Sequence, residues 1–212
     1  MMYSSVKRVF DIFSSLLLLA IFSPVFILTA IAIKLDSRGP IFADTPMRVG
    51  QDGRLFRMYK FRSMVENAYE ILSTDPKYKK LFEEYKKSGF KLKNDPRITR
   101  VGHFIRKYSF DEIPQFLNVL KGDMSLVGPR AYYADELNYQ QNKYPATKPD
   151  VKVVLSVKPG ITGLWQVSGR SQINFDKRIK MDAEYASKKS MLYDMWIILK
   201  TPEAMLSAKG AL

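Results

Sequence analysis

The chain has no cysteine and a single histidine, His103, in 212 residues. The first absence removes disulfides, thiolate nucleophiles and cysteine-based zinc sites, and fits a reducing compartment. The second leaves a serine–histidine pair or a two-histidine metal site only one residue to build on. Acidic residues are also in deficit, with 21 Asp and Glu against 34 Lys and Arg and a formal net charge of +13. Such a surface attracts anions, whether nucleic acid, anionic lipid or phosphorylated substrate, and charge alone does not choose among them. By elimination, carboxylates are the natural catalytic groups. The length fits one to two domains, and 46% apolar residues suffice for a core with some membrane contact.

From Ile12 to Ile33 run 22 residues without a formal charge. A straight helix of that length is roughly 33 Å long, enough to cross a bilayer core. Lys7 and Arg8 form a basic front, but the run is long for a signal peptide and no small-x-small cleavage site precedes Lys34. Ser23 and Pro24 fall at its middle. Pro24 removes a backbone hydrogen bond, and Ser23 can offer a replacement to a freed carbonyl, so a kink or reversal is expected there. Basic residues flank both ends, with Lys34 and Arg38 on the far side, whereas a spanning helix carries its positive charge mainly on one side. Two arrangements stay open: a kinked span, and a re-entrant helix-break-helix that dips into one leaflet and returns.

A boundary is expected near Asp36, giving a membrane segment over 1–35 and a polar domain over 36–212. Residues 47–62 alternate apolar and polar around Asp52-Gly53, which predicts a β-hairpin with positive φ at its turn. Asp75-Pro76 reads as the N-cap and first residue of a solvated helix running to Lys87. Helices are also expected over 104–121, 175–189 and 191–206, the last against the core or at a bilayer interface. The fold class is therefore α+β, mostly helical.

Residues 106–130, RKYSFDEIPQFLNVLKGDMSLVGPR, gather what an anionic phosphoryl site needs. Ser109 and Glu112 have capping-box spacing, which places Asp111 and Glu112 in a helix's first turn near free N–H groups. Taken alone, the pair is a helix cap; Arg106 and Lys107 before it, Lys121 and Asp123 after it, and Gly128-Pro129-Arg130 closing the segment point beyond a cap. A carboxylate that attacks a diphosphate must stay ionised, needs cations over the phosphate oxygens, and commonly uses Mg²⁺ to bridge them. Lys60, Arg62, Arg97, Arg100, Arg106, Arg130 and Arg170 are the candidate cations. In VKPGITGLWQVSGR, residues 157–170, Gly160, Gly163 and Gly169 permit close approach of backbone to ligand or membrane, and Trp165 suits either a lipid interface or the core.

With these motifs in view, nearly the whole chain resembles the bacterial sugar transferases. These are the small monotopic polyprenyl-phosphate phosphoglycosyl transferases that start capsule, exopolysaccharide, O-antigen and glycoprotein glycan assembly. The likeness is carried by KRVFDI, the apolar run with Ser23-Pro24, GPIF, YKFRSM, KNDPRITRVG, SFDEIPQFLNVLKGDMSLVGPR and VKPGITGLWQVSGR. The resemblance implies a re-entrant membrane helix broken at Ser23 and Pro24, and a catalytic domain on the cytoplasmic face of the bacterial inner membrane. It implies transfer of a sugar 1-phosphate from a UDP-sugar to undecaprenyl phosphate with release of UMP. Asp111 would be the nucleophile and bind Mg²⁺, Glu112 its partner, and Lys60, Arg62, Arg106, Arg130 and Arg170 would neutralise phosphates. The partners implied are the UDP-sugar, undecaprenyl phosphate and membrane lipids, with a homodimer left open and no nucleic acid.

The chain departs from the commoner family pattern in three places. Ala131 follows Arg130 where many members have proline, and Phe110 and Ile113 replace leucines. KNDPRITRVG and LWQVSGR look closest to the branch that uses UDP-glucose or UDP-galactose. Two other functions compete: a basic, membrane-bound lipid or nucleic-acid binding module without catalysis, and a glycosyltransferase that moves only the sugar and releases UDP. The first leaves the acidic pair unexplained.

Overall fold

A computed structural model describes residues 2–88, 92, 94–169 and 173–206. The chain opens with helix α1, Met2–Asp36, which contains Pro24. It ends where the polar domain was expected to begin. The expected break at Ser23 and Pro24 is not a gap in the helix. Pro24 cannot donate to the Ala20 carbonyl, and the Ser23 hydroxyl donates to it instead at 2.8 Å.

One stripe of α1, including Lys7, Asp11, Ser15, Thr29 and Ile33, is buried against the domain, while Phe13, Leu17, Ile21, Leu28 and Leu35 face outward. Both ends of the helix are held. Near the start, Lys7 pairs with Asp11 at 2.9 Å and Asp194 at 3.0 Å, and Arg8 donates to the Leu120 carbonyl at 2.8 Å. Near the end, the Asp36 carboxylate accepts from the Val101 amide at 3.3 Å.

The expected hairpin is present and short. Strands β1, Arg48–Val49, and β2, Leu55–Phe56, pair antiparallel around a turn in which Asp52 (φ 56°) and Gly53 (φ 76°) both take positive φ. Helix α2, Ala68–Thr74, leads to Asp75, whose carboxylate caps the Lys77 amide at 2.8 Å, and then to α3, Lys79–Lys87.

The helix expected over 104–121 is two. Helix α4, Arg100–Lys107, and helix α5, Gln115–Lys121, are separated by a 3-10 turn at Phe110–Glu112. Ser109 ahead of that turn is left-handed (φ 57°) and its side chain makes no capping bond, so the expected capping box does not form. An N-cap serine needs extended backbone to reach the third amide, and φ 57° denies it that geometry.

Beyond α5 come β3, Ser125–Val127; β4, Tyr132–Tyr133; α6, Ala134–Lys143; α7, Lys148–Val154; β5, Gly160–Thr162; and α8, Leu164–Ser168. Helices α9, Phe175–Lys188, and α10, Met191–Leu206, complete the described chain and match the expected spans closely. Strand β4 joins β1 and β2 in a three-stranded sheet, and β3 and β5 form a parallel pair. The fold is thus α+β and mostly helical. A core under the strand pair joins Met58, Val119, Leu126, Leu164 and Ile197, and a smaller one under α1 joins Ile33, Phe61, Ile105 and Ile113.

The glycines of the loops after β3 and around β5 serve the domain itself. A Cβ on Gly160 would overlap the Gly128 amide nitrogen, and one on Gly163 the Gly128 carbonyl oxygen. The close approach expected toward ligand or membrane is therefore backbone against backbone, and it delivers Arg130 from the end of β3. Trp165, buried, belongs to the interior and not to a lipid interface.

Candidate active site

The carboxylate pair meets the KFR segment through one backbone bond. The Phe61 amide donates to the Asp111 carbonyl at 3.0 Å, and the buried Phe61 ring packs 4.7 Å from Phe26 of α1. This aligns Lys60, whose ammonium lies 2.9 Å from Asp111 Oδ2 and 3.2 Å from Glu112 Oε1. Asn118 secures the approach of that segment. Its side chain accepts from the Tyr59 amide at 2.8 Å and donates to the Arg57 carbonyl at 2.7 Å.

Asp111 is buried, and burial pushes its carboxyl above the usual range, with Lys60 opposing and Glu112 adding to the rise. Burial pulls the Lys60 ammonium down, but the two carboxylates outweigh it and hold it protonated. Arg106 acts on both groups electrostatically. These residues and Arg130 line one cavity of about 670 Å³, within the ~300–1,000 Å³ span of small-molecule sites.

Arg130 is held from behind. Its amide donates to Asp182 Oδ2 at 3.1 Å, its Nε lies 4.0 Å from Glu136, and its guanidinium sits 5.3 Å from the Trp165 ring. Glu136 and Asp182 are wholly buried, and Glu136 also pairs with Arg178 at 3.1 Å. Burial pushes Asp182 up to about 7.

Of the expected phosphate cations, Lys60, Arg62, Arg106 and Arg130 line the cavity. The terminal nitrogens of Arg62 also donate to the carbonyls of Ser37, at 2.8 Å, and Arg38, tying the end of α1 to the domain. Arg97 is likewise committed, bidentate to Asp95 at 2.8 and 2.6 Å. Arg170 lies outside the described residues. Sequence reasoning missed Asn118, Glu136 and Asp182. The only local signal was at Asn118, a polar residue among the apolar positions of FLNVL.

The donor set suits a hard divalent cation held in an open site. No group of three His, Cys, Asp or Glu side chains converges among the described residues, so a closed protein cage is not formed. Asp111 and Glu112 offer the one or two carboxylates with which Mg²⁺ is usually held, its shell completed by substrate phosphates and water. Asp111, and Glu112 beside it, would be the holding residues.

Fold and site together define a membrane-associated α+β domain with a carboxylate pair set in a cationic cavity. The chain belongs to the bacterial sugar transferase family, whose model matches residues 2–208. It is 46% identical over 209 residues to the undecaprenyl-phosphate galactose phosphotransferase of Salmonella typhimurium, covering 97% of this chain and 41% of that protein. It is 46% identical over 208 residues to the galactosyl transferase CpsE of Streptococcus agalactiae, covering 97% and 43%. It is also 37% identical over 205 residues to the exopolysaccharide production protein ExoY of Sinorhizobium fredii, covering 97% and 87%. The chain thus spans less than half the length of the first two.

Proposed function

We propose that this protein transfers a hexose 1-phosphate, galactose 1-phosphate first among the candidates, from a UDP-sugar to undecaprenyl phosphate and releases UMP. The observation that carries it is the Lys60 ammonium bridging Asp111 and Glu112 inside a cavity that Arg106 and Arg130 also line. The galactose named in the similar Salmonella protein supports the choice of sugar.

The Asp111 carboxylate attacks the sugar-bearing β-phosphorus. The bond from that phosphorus to the bridging oxygen breaks, and the electron pair leaves with UMP. A phosphate oxygen of the polyprenyl acceptor then attacks the same phosphorus, which frees Asp111 and forms the polyprenyl-diphosphate-sugar. Lys60 favours the ionised form of Asp111 against its burial, and Arg106 and Arg130 balance charge on the phosphoryl oxygens. Mg²⁺, when bound, would supply Lewis-acid shielding of the diphosphate.

Membrane attachment follows from α1. Polar bonds hold both its ends to one domain, at Lys7 and Arg8 and again at Asp36, while its outward face is apolar. Both ends held to one domain support attachment to one face of the membrane, and we assign that face to the cytoplasmic side of the inner membrane. Product analysis tests the reaction: incubation with UDP-galactose and undecaprenyl phosphate should release UMP, and UDP as the product would reject it in favour of transfer of the sugar alone.

A further inference from the structure

Arg48 was not among the residues the sequence singled out. It lies on β1 opposite Tyr133 of β4, with its guanidinium carbon 3.3 Å from the centre of the Tyr133 ring. It is buried and lines the same cavity as Asp111. One terminal nitrogen donates to the Ala131 carbonyl at 2.9 Å, and its Nε has no hydrogen-bond partner among the described residues.

The charges around it do not balance. Of the other buried arginines, Arg97 has Asp95 and Arg178 has Glu136 as a close carboxylate, whereas Arg62 is held by the carbonyls at the end of α1. Arg48 has no ion pair within 4 Å among the described residues, and it stands within electrostatic reach of a second, half-buried guanidinium, Arg130. Glu136 is the carboxylate that Arg48, Arg130 and Arg178 share. A buried cation without a partner is costly unless an anion arrives from outside.

One cavity brings together the carboxylate pair, Arg130, Arg48 and the tyrosines Tyr69, Tyr85 and Tyr133, with the Arg48 guanidinium stacked on the Tyr133 ring. A UDP-sugar offers matching groups: a reacting phosphorus, a second phosphate, and a planar nucleoside that can stack on aromatic rings.

We propose that Arg48 and Arg130 together hold the α-phosphate of the donor, with the nucleoside against Tyr69 and Tyr85, so that Arg48 stabilises the UMP leaving group. When the bridging P–O bond breaks, the electron pair falls on an oxygen of this phosphate. The charge that develops there meets two preplaced guanidinium groups, and no proton is needed. The inference rests on the UDP-sugar reading above.

The test uses the full chain in detergent with UDP-galactose and undecaprenyl phosphate. Arg48→Lys keeps the charge and loses the planar fork, and Arg48→Gln loses both. Each should raise KM for UDP-galactose and Ki for UMP by about tenfold or more, with the KM for undecaprenyl phosphate and the Ki for galactose 1-phosphate within about twofold of wild type. Tyr69, more than a third exposed, permits a variant that spares the core. Tyr69→Ala should weaken UMP and leave inhibition by inorganic phosphate unchanged, and it decides the matter if the Arg48 variants do not fold. An unchanged Ki for UMP overturns the inference, as does a change confined to galactose 1-phosphate, which would put the sugar at this end. Wild-type enzyme that releases no UMP rejects the parent reading instead, and direct titration of wild type and variants with UMP still reports on Arg48.

Discussion

Lys60 and Asp111, 51 positions apart, are held 2.9 Å from each other because Phe61, next after Lys60, bonds the Asp111 main-chain carbonyl. The ammonium is the nearest compensation for a carboxyl that burial drives toward its neutral form. The balance between these two effects leads directly to experiment.

Replacing Asp111 by Asn keeps the shape and removes the nucleophile. Turnover should fall by about 10³-fold or more, while the unfolding midpoint holds or rises, since a buried charge is lost. A phosphosugar adduct trapped on wild type should be absent from the variant. Chelation should abolish wild-type activity, with recovery on adding Mg²⁺.

Lys60→Gln removes the ammonium that opposes the burial of Asp111. The Asp111 carboxyl then moves further up, so the acidic limb of kcat/KM should shift to higher pH and activity at pH 7 should fall about 100-fold. A pH–rate profile on which the acidic limb stays in place would refute the role of Lys60.

Asp182 gives a stability prediction away from the carboxylate pair. Its folded pKa of about 7 lies above the unfolded value of 3.8. Below pH 4 both states are protonated; between pH 4 and 7 the folded state binds more protons, so stability falls as pH rises through that window. The loss amounts to at most ~4 kcal/mol. Asp182→Asn should flatten this dependence, which chemical denaturation at pH 5 and pH 8 will measure.

Asn118, wholly buried, joins α5 to residues 57 and 59. Asn118→Leu leaves the Tyr59 amide and the Arg57 carbonyl without these partners. We expect a loss of about 3 kcal/mol in denaturant unfolding, together with reduced kcat as Lys60 drifts from Asp111. Retained stability and activity would show that the segment is held by other contacts.

The lack of native cysteine makes topology directly measurable. Single cysteines at Met2 and Gly53 should be labelled by an impermeant thiol reagent from the same side of sealed vesicles. Labelling from opposite sides would establish a span and exclude a re-entrant helix.

Local pattern made much of the fold legible. The hairpin follows from alternation around Asp52-Gly53, α3 from its Asp75-Pro76 start, and α9 and α10 from helical periodicity, each set by residues close in sequence. The Ser23 bond to Ala20 is equally local, which is why its donor could be named in advance. The split between α4 and α5 was hidden because Ser109 has capping-box spacing but left-handed backbone. Spacing does not report φ.

For the site, sequence alone pointed to carboxylate chemistry. One histidine and no cysteine left carboxylates, and the Asp111-Glu112 pair stood among basic residues and glycines that a phosphate site requires. Tertiary structure decided what each cation meets. Lys60 reaches the pair, Arg62 and Arg97 bond backbone carbonyls and Asp95 at the cavity wall, and Arg48 enters the cavity from a strand carrying no motif of its own. The physical reason is that every arginine has the same five donors in sequence. Which acceptors they meet depends on chain segments brought together only by folding.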